Sequence, residues 1–147
     1  ILQDRLKRKI KTYKFVNFSD IIPNTINIFP KYRMPFSDIY FDLDETLVCR
    51  FLPMQPIVSF LEKIKKQKKI HLITRHECDI VETLGKIGLK SDIFSQIIKV
   101  QRNELKSQFI KKGAIFIDNE FSERLDVKKN NSVPVLDLDQ IDFLDFN

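Results

Sequence analysis

Asp42 and Asp44 stand one residue apart, just after the apolar run Ile39-Tyr40-Phe41 and just before Glu45-Thr46-Leu47. Two carboxylates at that spacing can divide the work of moving a phosphoryl group. One can hold a hard cation such as Mg²⁺ and attack phosphorus, while the other exchanges a proton with the leaving oxygen. Three more residues suit the same chemistry by their positions. Thr74 closes the run Lys69-Ile70-His71-Leu72-Ile73, Asp118 closes Ala114-Ile115-Phe116-Ile117, and Lys106 precedes that last run.

These residues converge only if the runs are strands whose C-terminal ends share one edge, where open parallel α/β sheets bind ligands. Side-chain alternation would then point Asp42 and Asp44 in similar directions. The pattern predicts strands at 39–41, 69–73, 96–100, 114–117 and 133–138. Helices are expected between them. One covers 55–68, with Pro56 in its first turn and Ile57, Phe60, Leu61 and Ile64 inward. A second covers 77–87, with Ile80, Val81, Leu84 and Ile87 inward and Gly88 beyond its end. A third, capped by Asn103, covers 104–112 and buries Leu105, Phe109 and Ile110; a fourth covers 120–129. Alternation of strands and helices implies a mostly parallel sheet with helices on both faces.

The segment Asp42-Leu43-Asp44-Glu45-Thr46-Leu47, followed in order by Thr74, Lys106 and Asp118, resembles the four signatures of the haloacid dehalogenase superfamily over residues 38 to about 138. That resemblance implies an α/β fold: a Rossmannoid three-layer sandwich around a mostly parallel five-stranded sheet. It also implies a Mg²⁺-dependent phosphatase with an aspartyl-phosphate intermediate. Asp42 would be the nucleophile and a metal ligand. Asp44 would be the general acid and base, its carbonyl also reaching the metal. Thr74 would donate to a phosphoryl oxygen, Lys106 would offset negative charge, and Asp118 would be the second metal carboxylate. Glu123 is favoured over Glu120 as an outer metal group, although acids also suit a helix N-terminus. Thr46, Arg75 and Asn119 are expected at the substrate. His76 is expected at the site mouth, as a solvated loop residue or bound to substrate phosphate or to a neighbouring carboxylate. Lys99, Lys111 and Lys112 compete with Lys106 for the third signature. The spacings leave no room for a cap domain, so a second copy or a partner domain is expected to complete an open site.

At 147 residues and 43% hydrophobic, the chain suits one packed domain with an appendage. Residues 1–35 carry eight Lys/Arg against Asp4 and Asp20, a net of +6 in a chain of net +5. They read as a basic arm, with an amphipathic helix over 2–14 and a connector after it; the phosphatase-like domain is 36–147. No apolar run is long enough to span a bilayer, and no apolar stretch follows the basic start as in a signal peptide. Cys49 and Cys78 form no disulfide framework or zinc pattern, which suits a reducing cytoplasmic setting. The three glycines match no P-loop or dinucleotide fingerprint. The expected substrate is a sugar phosphate or other phosphorylated small metabolite. The alternatives are a phosphatase for protein or nucleic acid, and a non-catalytic module binding anionic partners through the arm. Nucleic acid is not the favoured partner, and none is expected in a membrane.

Overall fold

The computed structural model describes residues 36–143. The arm, its expected helix over 2–14 and the last residues of the acidic tail lie outside that range.

The elements in order are β1 (Asp38–Phe41), β2 (Val48–Cys49), β3 (Leu52–Pro53), α1 (Gln55–Ile64), β4 (Lys69–Thr74), α2 (Ile80–Lys86), β5 (Gln96–Lys99), β6 (Ile115–Ile117), α3 (Phe121–Asn131) and β7 (Val135–Leu136). Short 3-10 segments occupy Ser91–Ile93, Lys106–Gln108 and Leu138–Phe143. The five main strands form one sheet in the order β5-β4-β1-β6-β7, and every pairing in it is parallel. This is a Rossmann-like α/β arrangement. β2 and β3 form a separate antiparallel hairpin.

Apolar runs in β1, β4 and β6 become the middle of the sheet because both of their faces are covered. Ile39, Tyr40, Phe41, Leu72, Ile73, Ile115, Phe116 and Ile117 are all fully buried. The Phe41 face meets α1, where the rings of Phe41 and Phe60 pack edge-on with centroids 6.1 Å apart. The Tyr40 face packs with Phe116, Ile73, Ala114 and Val127 of α3. Helices therefore cover both faces. Truncating a buried Phe in such a core typically costs about 3–5 kcal/mol.

Several boundaries differ from expectation, among them the end of α1, which stops at Ile64 and not near 68. α2 begins at Ile80, not near 77, because the Asp79 side chain caps it by accepting the Glu82 N–H at 2.7 Å. Thr83, Leu84 and Ile87 then turn inward and leave Val81 exposed. Gly88, just past the helix, holds φ +77°, the left-handed region where glycine carries no steric cost.

The helix expected over 104–112 is instead a single 3-10 turn, and Leu105 is exposed. The side-chain amide of Asn131 donates to the carbonyls of Ser107 (2.9 Å) and Ile110 (2.8 Å). Those carbonyls are satisfied from α3, so the segment needs no helical ladder. The last strand shortens to Val135–Leu136, just after Pro134, whose carbonyl accepts the Phe116 N–H at 3.0 Å.

The chain leaves β1 toward β4 and β5 on one side, then returns to lay β6 and β7 on the other. The crevice between the C-terminal ends of β1 and β6 is therefore the topological switch point, the usual ligand position in such sheets.

Candidate active site

Asp42 and Asp118 sit at that switch point. The Asp42 N–H donates to the Ile117 carbonyl at 3.0 Å, and the Asp118 N–H to the Leu136 carbonyl at 3.1 Å, so both acids extend the ladders of their strands. After Asp42 the chain folds tightly on itself. The Leu43 carbonyl accepts N–H groups from Thr46 (3.3 Å), Leu47 (2.8 Å) and Val48 (3.1 Å). Glu45 takes a left-handed φ of 54° within that turn. Leu43 and Leu47 are thereby buried while the Asp44 side chain stays half exposed.

Lys106 Nζ donates to Asp42 Oδ1 at 2.6 Å and to Asp118 Oδ2 at 2.7 Å. The side chains are 3%, 9% and 1% exposed for Lys106, Asp42 and Asp118 respectively. Burying three ions is expensive unless they pair with good geometry. Two charge-assisted bonds meet that need, but one cation faces two anions. Burial, with the nearby charge of Asp118, pushes the Asp42 carboxyl up to about 6 against the opposing pull of Lys106. Burial likewise raises Asp118, again against Lys106. Burial pulls Lys106 down, but the charges of Asp42 and Asp118 and their hydrogen bonds outweigh it and hold the amine protonated. The competing lysines lie elsewhere. Lys99 donates to the Glu77 carbonyl at 3.1 Å, and Lys111 and Lys112 are exposed.

The other expected residues divide. Thr74 is fully buried at the end of β4, and its hydroxyl oxygen accepts the His76 N–H at 3.0 Å. Thr46, expected at the substrate, is fully buried instead. It pairs with Asn119 through a contact to Asn119 Oδ1 (3.2 Å) and an N–H from Asn119 (3.3 Å), joining the turn after β1 to the turn after β6. Arg75, also expected at the substrate, uses its guanidinium on Glu123 (2.8 Å) and on the carbonyls of Gln101 (2.6 Å) and Glu104 (2.7 Å). Glu123 is thus held by Arg75. Glu120 stands exposed at the N-cap position of α3 without a side-chain capping bond, and its N–H donates to Asp118 Oδ1 at 2.8 Å.

Asp44 meets a residue that sequence reasoning left open. Its carboxyl oxygens lie 2.8 and 3.1 Å from His76 Nδ1, and His76 Nε2 lies 2.9 Å from Thr83 Oγ1. The two residues are 32 positions apart, and the parallel β1–β4 register brings them together, so of the expectations for His76 the one beside a carboxylate is the one seen.

Among the described residues, no group of three or more His, Cys, Asp or Glu side chains is arranged to hold a metal ion. Mg²⁺ needs less than that, since it commonly takes one or two carboxylates and completes its shell with water and phosphate. Asp42 and Asp118 supply hard oxygens and one surplus negative charge at the switch point. Among the described residues no N–H donates to the Asp44 carbonyl. The donor set therefore suits Mg²⁺ in kind. No family model, curated protein or solved structure matches this chain.

Proposed function

We propose that this chain is a Mg²⁺-dependent phosphomonoesterase of the haloacid dehalogenase type. The observation that carries this reading is the buried Asp42–Lys106–Asp118 cluster at the switch point of the sheet. In the first step an Asp42 oxygen attacks phosphorus and the bond to the leaving oxygen breaks, with Asp44 giving that oxygen a proton. In the second, Asp44 takes a proton from water as the water oxygen attacks the aspartyl-phosphate. The bond from phosphorus to Asp42 then breaks, releasing inorganic phosphate and restoring the carboxylate. Lys106 keeps its proton throughout and offsets charge on Asp42 and the phosphoryl group. Thr74 spends a lone pair on the His76 N–H, which leaves its own proton for a phosphoryl oxygen. Bound at Asp42 and Asp118, Mg²⁺ would neutralise phosphoryl oxygens and hold them in line.

Between β1 and α1 the chain inserts only the β2–β3 hairpin, so residues 36–143 contain no cap element of domain size. A small sugar phosphate would then need a cover from a second copy or a partner domain. A second reading, a phosphatase for a protein or nucleic-acid phosphate, is favoured by Phe51 (76% exposed) and Leu52 (68%) at the hairpin tip, which offer apolar contact to a large substrate. The test of the proposal is Mg²⁺-dependent release of p-nitrophenol from its phosphate by the wild type and by Asp42→Asn. Activity that needs both the metal and Asp42 supports it; equal rates in the two proteins would defeat it.

A further inference from the structure

We propose that His76 is the positioning residue for Asp44, with Thr83 holding a hydrogen on its Nε2. This rests on the reading that Asp44 is the general acid and base. Thr83 lies in the first turns of α2. Its hydroxyl lies 2.8 Å from the Asp79 carbonyl and 2.9 Å from His76 Nε2. A carbonyl only accepts, and a hydroxyl has one proton to give. Both contacts are hydrogen bonds only if Thr83 gives its proton to Asp79 and accepts from an N–H at Nε2. Nδ1 faces both carboxyl oxygens of Asp44, at 2.8 and 3.1 Å, and because Nε2 already carries a hydrogen, this contact is a hydrogen bond only with a further proton between them, on Nδ1 or on the carboxyl.

The clamp has an anchor at each end. The His76 backbone N–H donates to Thr74 Oγ1, and the Asp79 carbonyl also accepts the Thr83 N–H within the helix at 3.0 Å. The His76 side chain is 14% exposed with both nitrogens engaged. Flipping the ring would put C–H groups against both partners. Asp44, by contrast, is 51% exposed and sits in the turn after β1. No other described side chain bonds its carboxyl. His76 is thus the one group that fixes where the acid points. A misaimed acid matters when the leaving oxygen needs a proton and matters little when it does not.

The test compares wild type, His76→Asn, His76→Gln and Thr83→Val in the full chain, with an alkyl phosphate and with p-nitrophenyl phosphate. An Asn amide stands near where Nδ1 stands and can turn its nitrogen to a carboxylate or its oxygen to a carboxylic acid; a Gln amide reaches toward Thr83. His76→Gln should lose about 10²-fold in kcat on the alkyl ester with little change on the aryl ester, and His76→Asn should recover most of that loss. Equal losses on both substrates, or none on the alkyl ester, would overturn the proposal. A long-range ¹H–¹⁵N spectrum of the imidazole gives a second readout. A hydrogen on Nε2 that persists in Asp44→Asn and gives way to mixed tautomers in Thr83→Val supports the clamp. A hydrogen on Nδ1 alone overturns it, whatever the activity. Inactive wild type with the Nε2 hydrogen intact would instead defeat the phosphatase reading and leave the clamp standing.

Discussion

Arg75 Nε and Glu123 Oε1 meet at 2.8 Å, tying the residue that follows β4 to the first turn of α3. The pair is partly exposed, and by itself is worth about 0–1 kcal/mol. The two backbone carbonyls that the same guanidinium holds matter more, since hydrogen bonds to charged groups contribute about 1.5–3 kcal/mol. Arg75→Met should therefore lower unfolding stability by about 2–3 kcal/mol in a urea titration. Glu123→Gln should cost less than about 1 kcal/mol and leave Mg²⁺ affinity within about threefold. A tenfold or larger loss of Mg²⁺ affinity in Glu123→Gln would show that this glutamate serves the metal after all.

Removing Lys106 leaves Asp42 and Asp118 buried without a counter-charge. Lys106→Met should destabilise the protein by about 3–5 kcal/mol near neutral pH. Adding Asp42→Asn to that variant should restore part of the loss, because one of the two stranded anions is gone. Additive effects of the two substitutions would contradict the direct coupling that the 2.6 Å contact implies.

The Asp42 carboxyl, at about 6 in the folded protein against 3.8 for the free side chain, gives a signed pH dependence. The folded state holds this proton more tightly than the unfolded chain does. Its contribution is fully present below about 3.8 and is lost as pH rises from there through about 6. In metal-free protein the stability of Asp42→Asn minus that of wild type should therefore grow between about pH 4 and about pH 7. Urea titrations at those two values decide the matter, and a constant difference would speak against the raised carboxyl. Mg²⁺ should bind more weakly below about 6, where the proton competes for the same oxygen.

Arg50 and Phe51, the two turn residues of the β2–β3 hairpin, both have left-handed φ, 49° and 64°. Hairpin turns of two such residues favour Asn-Gly. Replacing the pair with Asn-Gly should raise stability by about 1–2 kcal/mol, by relieving strain at two bulky positions. A gain in melting temperature with p-nitrophenyl phosphate hydrolysis retained and phosphopeptide hydrolysis reduced would favour the large-substrate reading. Unchanged hydrolysis of both would remove the hairpin tip from recognition.

What was legible in the sequence was the set of strand ends. Ile39 to Phe41, Ile70 to Ile73 and Ile115 to Ile117 are long enough apolar runs to be read as buried strands, and the polar residue closing each was visible beside it. Other features depend on partners far along the chain. Asn131 replaces a helix at Lys106–Gln108 by bonding carbonyls 24 and 21 residues away. Thr46, 73 residues from Asn119, looked like a residue for ligand and lies between two turns. The strands of the hairpin are two residues each, too short for any period to register.

β1 is the first strand of the sheet in sequence and its middle strand in space, with β4 on one side and β6 on the other. Both edges of β1 wait unpaired until β4 emerges, and one waits until β6 does. Asp42 remains an ordinary hydrated carboxylate until Lys106, 64 residues later, reaches it. Closing so distant a contact follows the local helices and turns. The loss of water around the three charges thus waits on contacts made across 64 and 12 residues, and the buried cluster is complete only once Lys106 and Asp118 have both been made.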